Sequence, residues 1–301
     1  MAIFDFLHTF HPYPIAFSLG PINIYWYGVF MVLGMVSGIS LACYLGKYYD
    51  LRTELILDLS FWLIVYGLVG ARLYHIGLEW GYYRNAPMDI FKIWQGGLAI
   101  HGAIIADLLA LIGFAWSKKI SFWLLASVAT PALAIGQVFG RWGNYFNQEL
   151  FGLPTGLSWG IPIAENLRPA AYLDSQYFHP TFIYESLFCL LLAGALILVH
   201  GFVRRVKNPQ HSVIRYEAIA LSYLIFYSFW RYLLEEVKID EVPVIGPWRL
   251  PQLASLIIAI ASLGLFVYSV IKYRQQLKKA AFLEEVVSPG VPVAKVLADK
   301  K

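Results

Sequence analysis

An all-α integral membrane protein is the fold class this sequence predicts, and three observations carry it. Of 301 residues, 59% are apolar and only 14% charged, and the mean hydropathy is +0.60. A chain with 23 Lys and Arg and 19 Asp and Glu cannot clothe a water-soluble globule of this size, so most of its surface has to face lipid. The apolar residues also fall into runs long enough to cross about 30 Å of hydrocarbon, which takes roughly 20 residues as helix. Nucleic-acid binding, a secreted disulfide scaffold and a disordered tail protein are excluded together. A net charge of +4 says little, because in a membrane protein the placement of charge matters more than its sum. Cys43 and Cys189 each sit inside an apolar run, where a thiol is usually a small hydrophobe, so no disulfide framework or redox compartment follows.

Seven spans are expected. Ile24–Leu45, Ile120–Gly140 and Leu250–Ile271 contain no Asp, Glu, Lys or Arg. Four more carry polar exceptions: Leu55–Gly77 with Asp58 and Arg72, Gly97–Trp116 with His101 and Asp107, Thr181–Val203 with Glu185, and Tyr216–Trp230 with Glu217. The Tyr216 run is short unless it continues through Arg231 to Glu235, which sets that pair at a membrane boundary or in a polar cavity. Orientation follows from the basic residues of the connections. Lys47, Arg52, Lys118, Lys119, Arg204, Arg205, Lys207, Arg215 and seven in the tail from Lys272 make 15 on one side, against 7 on the other. The first side is expected to be cytoplasmic, with the N-terminus periplasmic and the C-terminus cytoplasmic. The first twenty residues carry Asp5, His8 and His11 but no Lys or Arg. They lack the cationic start of a signal peptide, so no cleavage is expected. Residues 1–275 form the polytopic transmembrane domain in this reading, with a periplasmic segment at about 141–180, a loop long enough to suggest function. Residues 276–301 are a cytoplasmic tail, read as a short helix followed by disorder. There is no internal repeat of the kind many secondary transporters carry.

The densest polar cluster runs from Gly140 to Gly152: Arg141, Asn144, Asn147, Glu149 and three glycines at the outer end of the fourth span. Glycines let a backbone turn tightly and approach a ligand, and a guanidinium offers five fixed donors to phosphate or carboxylate. Helical spacing puts Arg141 and Asn144 on one face. The plainer alternative is an interfacial loop whose arginine reaches for headgroups and whose asparagines cap the helix end. A second cluster, Gln95 to Ala103, brings His101 among small residues at membrane depth. It is a candidate general base, with a structural histidine bonded across helices as the alternative. A third, Tyr227, Arg231 and Glu235 at i, i+4 and i+8, stacks a phenol, a guanidinium and a carboxylate on one helix stripe. With two arginines on the same side of the membrane, an anionic headgroup is the natural ligand. No HExxH, paired Cys/His spacing, P-loop or GxSxG occurs, so zinc protease, NTPase and serine hydrolase chemistries lack their residues. No metal or cofactor is expected. A lipid or anion transporter with Asp58, Arg72 and Asp107 as its relay is the rival class, and a non-catalytic assembly factor a third.

The run GRWGNYFNQELFG at Gly140–Gly152 resembles the signature of the bacterial prolipoprotein diacylglyceryl transferases, with Tyr145 where phenylalanine is usual. GGLAIHGA around His101 is similar to that family's histidine motif. Tyr25-Trp26-Tyr27-Gly28, His179-Pro180-Thr181 with Tyr184-Glu185, Arg231 with Glu235, and Gln252 follow in matching order, and Lys238 stands where the family is expected to have an arginine. The resemblance spans about residues 12–275.

The resemblance implies transfer of the diacylglyceryl group of phosphatidylglycerol to the cysteine thiol of a prolipoprotein lipobox, forming a thioether and releasing glycerol phosphate. It implies a multi-pass protein of the bacterial inner membrane, its site toward the periplasm, with membrane lipid and the lipobox segment as partners and no nucleic acid. Such a reaction needs a thiolate and a stabilised leaving phosphate. Arg141 and Arg231 are expected on the phosphate, with Asn144 and Glu149 orienting the first and Glu235 the second. Asn147, Gly152 and Tyr227 complete the lipid site. His101 is the candidate base, and Tyr27 an alternative proton acceptor or headgroup contact.

Overall fold

The computed structural model describes residues 2–205 and 216–286. An N-terminal helix α1 (Ala2–Thr9) leads into a hairpin of β1 (Ile15–Leu19) and β2 (Ile22–Tyr25) that turns at Gly20, whose φ of 60° only glycine adopts freely. The helices α2 (Trp26–Gly46), α3 (Thr53–Leu78), α4 (Trp80–Tyr83), α5 (Ile100–Lys118), α6 (Phe122–Phe146), α7 (Thr181–Arg205), α8 (Tyr216–Glu235) and α9 (Leu250–Val286) follow. A two-stranded pairing of β3 (Ile161–Pro162) with β4 (Tyr177–Phe178) lies between α6 and α7, and another of β5 (Val244–Ile245) with β6 (Trp248–Arg249) lies between α8 and α9. The chain is mostly helical as expected, but among the described residues three small antiparallel sheets punctuate the connections.

Among the described residues, six helices are long and apolar enough to cross a membrane: α2 (counted there through Tyr49), α3, α5, α6, α7 and Leu250–Lys278 within α9. Their outward faces are apolar and exposed, as lipid contact requires; α5 alone presents Ile104, Ile105, Leu108, Leu109 and Ile112. The seventh expected span, α8, forms a helix of 20 residues, but Glu217, Arg231 and Glu235 keep it below the apolarity of the others. It does continue past Trp230 to Glu235. The tail helix expected from residue 276 is the continuation of α9 itself, which runs unbroken for 37 residues. Lys207, Arg215 and the end of the tail lie outside the described residues.

Small residues draw the helices together where lipid gives no hydrophobic push between them. A Cβ on Gly38 would lie 2.9 Å from the Ala132 carbonyl, and one on Gly34 3.1 Å from that of Gly136, so α2 and α6 meet backbone to backbone. Gly70 and Gly102 do the same for α3 and α5, where an added Cβ would come within 2.2 to 2.6 Å of the facing carbonyl. The long connection after α6 folds on its own core of Leu7, Tyr145, Phe151, Ile161, Ile163, Phe178 and Phe182, so helix α1 is docked onto the same body.

Candidate functional site

The helix α6 does not stop at Gly140 but runs six residues further, so Arg141 and Asn144 share its last turns and the Arg141 Nη1 donates to Asn144 Oδ1 at 3.2 Å. The chain leaves the helix through left-handed residues at Gln148 (φ 52°) and Leu150 (φ 57°). Three segments are then laced together by backbone bonds. Gly152 N–H donates to the His179 carbonyl at 2.9 Å, His179 N–H to that of Leu153 at 3.0 Å, and Leu153 N–H to that of Val237 at 2.8 Å. The Thr181 hydroxyl donates to the Leu150 carbonyl. A Cβ on Gly152 would sit 2.8 Å from His179 Cβ and 2.9 Å from the Val237 carbonyl oxygen. That glycine therefore holds the ends of α6, α7 and α8 together.

Inside this lacing the charged side chains converge. Glu185, one turn into α7 and 1% exposed, receives Arg141 Nη2 at 2.7 Å and the Tyr227 hydroxyl at 2.9 Å on one oxygen, with Arg231 Nη1 at 3.8 Å from the other. Arg231 Nη2 pairs with Glu235 Oε2 at 2.9 Å, one turn on along α8. Glu235 also takes Arg249 Nε at 3.1 Å and Nη2 at 3.0 Å. On the other flank Asn144 Nδ2 donates to Glu149 Oε1 at 2.7 Å, and Asn147 Nδ2 reaches the same oxygen at 3.5 Å. The expected residues Arg141, Asn144, Asn147, Glu149, Tyr227, Arg231 and Glu235 thus belong to one continuous network. Arg231 Nη1 and Glu185 Oε2 are buried with no hydrogen-bond partner, a costly state that an incoming anion could relieve at the guanidinium.

Tyr27 packs edge-on against the signature helix. A Cβ on Gly143 would meet its ring at 2.8 Å, and its phenol lies within the fields of Glu149 and Arg141. His101 stands apart. It opens α5, exposed, with its ring centroid 6.0 Å from that of Tyr74 on α3, and no hydrogen bond or ion pair among the described residues joins it to either arginine. Arg72, the rival reading's relay, is buried and committed to the loop before His101. It donates to the carbonyls of Ile90 at 2.9 Å, Gly96 at 2.8 Å, Gly97 at 3.0 Å and Asp89. No bond among the described residues links it to Asp58 or Asp107, whose Oδ1 is buried without a partner.

Sequence reasoning missed three participants: Glu185 as the joint between the arginines, Arg249, and the buried Lys238. The signal for Glu185 was a carboxylate inside a span, which seldom occurs without a function. For His179, burial holds the imidazole below its ordinary value, and its Nδ1 lies 3.1 Å from the Tyr184 hydroxyl, which also accepts from Trp159 Nε1 at 2.9 Å. A cleft of about 540 Å³ opens beside Asn147 and Glu149, lined also by Arg168, Asp240 and Glu241.

Chemically, this arrangement converges two guanidiniums from different helices on one buried carboxylate, with a cleft lined by Asn147 and Glu149 at its flank. Comparison with known proteins agrees. The family model described as prolipoprotein diacylglyceryl transferase matches residues 14–268. A protein of Synechococcus elongatus named phosphatidylglycerol–prolipoprotein diacylglyceryl transferase is 40% identical over 282 residues, 93% of each chain. Proteins of the same name from Nostoc sp. and Listeria innocua are 40% and 38% identical, each over 86% of this chain and 90% of the relative. With the signature arginine, its asparagines and its glycine in one network, and with matches along nearly the whole length, the chain belongs to the prolipoprotein diacylglyceryl transferase family.

Proposed function

We propose that this chain transfers the diacylglyceryl group of phosphatidylglycerol to the lipobox cysteine of prolipoproteins, the first step of lipoprotein maturation. The observation that carries it is the convergence of Arg141 and Arg231 on the single buried carboxylate of Glu185, with an Arg231 donor left over. A phosphodiester entering between the two guanidiniums would take donors that Glu185 now shares.

In the step, the thiol S–H bond breaks and the proton passes to a base. A bond then forms from sulfur to the glyceryl carbon as the bond from that carbon to the phosphate oxygen breaks, its electron pair leaving with the oxygen. Glycerol phosphate departs carrying one more negative charge than the lipid diester had. Guanidiniums held in low dielectric stabilise that growing charge far better than water-exposed cations would. Asn144, Asn147 and Glu149 fix Arg141; Glu235 fixes Arg231; Tyr227 keeps Glu185 in place. His101 is the base in this reading, delivered by the α3 and α5 pair, with Tyr27 as the alternative. Gly152 serves the site by keeping its three walls in register.

The reading includes a topology of seven spans with α8 as the sixth, the N-terminus periplasmic and the C-terminus cytoplasmic, and the arginine network facing the periplasm of the inner membrane. The basic residues of the opposite connections support it. Residues 1–275 act as the catalytic unit and the remainder as a tail. The test is purified protein in micelles containing phosphatidylglycerol with a synthetic lipobox peptide. A gain of one diacylglyceryl unit in peptide mass is expected. An unchanged peptide, with lipid or anion flux in vesicles instead, would establish the transporter reading.

A further inference from the structure

Lys238 lies three residues beyond α8 and is 3% exposed. Its backbone pairs with Gly152 and its carbonyl is taken by Arg249 Nη1 at 2.8 Å, so the residue is fixed beside the lacing that closes the site. Its ammonium makes no hydrogen bond or ion pair among the described residues, yet the charges of Arg231, Glu185 and Arg141 act on it directly, together with Asp240. A side chain this buried, whose ammonium has no hydrogen-bonded carboxylate among the described residues, is costly to keep, and an apolar side chain of the same length would avoid that cost. Burial first, and Arg231 next, push this group down from its ordinary value to about 8.

The charges around it do not cancel. Arg141, Arg231, Arg249 and Lys238 face Glu185, Glu235 and Asp240, and Glu149 is held off by the intervening Asn144. The nearest ring of groups therefore carries one more cation than carboxylate. Arg249 has its donors committed to Glu235 and to the carbonyls of Lys238 and Asp240. Among the described residues the Lys238 ammonium has no such commitment.

We propose that Lys238 is a third cation of the phosphate site, its ammonium donating to phosphate oxygens that Arg141 and Arg231 leave open. Resting on the transferase reading, this assigns it to the second negative charge that the phosphate acquires as its bond to the glyceryl carbon breaks. A group that engages mainly that later charge lowers the barrier more than it tightens lipid binding.

The test compares Lys238→Met and Lys238→Arg with the parent in phosphatidylglycerol micelles with a lipobox peptide, and separately measures binding of glycerol phosphate to each purified protein by calorimetry. Lys238→Met is expected to fold with an undiminished thermal midpoint, to lose about 10²-fold or more in kcat with a smaller change in KM, and to bind glycerol phosphate at least tenfold more weakly. Lys238→Arg is expected to regain most of both. Turnover and glycerol phosphate affinity within threefold of the parent in Lys238→Met would overturn the proposal. So would a Lys238→Met protein that no longer folds, which would make the residue structural. Loss of turnover in Lys238→Arg with glycerol phosphate affinity intact would also overturn it, pointing to a neutral amine acting on the thiol. Should the parent bind glycerol phosphate through Lys238 yet leave the peptide unmodified, the transferase reading fails while the anion site stands.

Discussion

Glu185→Gln tests the joint of the network, because it removes one charge and almost no volume. In the parent, the carboxylate lies 2.7 Å from Arg141 Nη2, 3.8 Å from Arg231 Nη1 and 2.9 Å from the Tyr227 hydroxyl, and is 1% exposed. Glutamine keeps an acceptor for Tyr227 but leaves two guanidiniums facing each other with only Glu235, on Arg231, to offset them. Removing one member of a buried ion pair typically costs 3 to 5 kcal/mol, and the retained hydrogen bond places this case at about 3 kcal/mol. That is roughly a 10²-fold fall in the folded-to-unfolded ratio, read as a lower thermal midpoint in detergent. Turnover should fall at least tenfold, since both arginines proposed to hold the phosphate lose the acceptor that orients them. Glycerol phosphate supplies the decisive arm. It no longer competes with Glu185 for the arginines, so it should bind the variant more tightly and raise its midpoint by more than it raises the parent's. A midpoint unchanged by the substitution, with the same response to glycerol phosphate in both proteins, would refute the idea that Glu185 balances these charges.

Arg141→Lys should lose about 10²-fold in turnover although charge is kept, because one ammonium cannot serve Glu185 and Asn144 in the fork geometry now seen; steady-state rates with the lipobox peptide measure it. His101→Gln should cut turnover by about 10² to 10⁴ while phosphatidylglycerol binding stays intact, and the deficit should shrink above about pH 8.5, where a thiol ionises unaided; a pH series on both proteins reads this directly. Gly152→Ala should destabilise by about 1 to 3 kcal/mol and reduce activity in parallel, since its methyl group meets His179 Cβ on one side and the Cγ1 and carbonyl oxygen of Val237 on the other; thermal midpoints and rates check the pairing. A reporter fused after Lys279 should be active only in a form that works in the cytoplasm, and a periplasmic signal would break the topology.

The apolar runs located α2, α3, α5 and α7 to within a few residues at both ends, and the starts of α6 and α9, because crossing length and hydropathy are local properties. Helix ends were less legible. The run at Ile120–Gly140 stops where Arg141 begins, yet α6 continues to Phe146, since Arg141 finds Glu185 and Asn144 and no longer needs water. The same holds for α8, which outlasts Trp230 because Arg231 and Glu235 neutralise each other one turn apart. The first hairpin was missed, although Leu19-Gly20-Pro21-Ile22 reads in hindsight as a turn between two short runs. The site residues were named as three separate clusters from spacing and resemblance. What joins them, Glu185, lies 44 positions from Arg141 and 46 from Arg231 in the chain, and convergence over such separations is written in tertiary packing rather than in any local pattern.

The backbone lacing at Gly152, His179 and Val237 also bears on how the protein tolerates different bilayers. Helices that meet a thinner or thicker membrane change tilt, at a modest cost per ångström of mismatch. Here the candidate spans α6 and α7, with α8 beside them, are tied at one end by hydrogen bonds between main-chain groups, and the arginines sit in the last turns of α6 and α8. Tilting must then be taken up at the far ends, like the ribs of a fan swinging about its rivet. The spacing of the two guanidiniums should therefore change little with acyl-chain length.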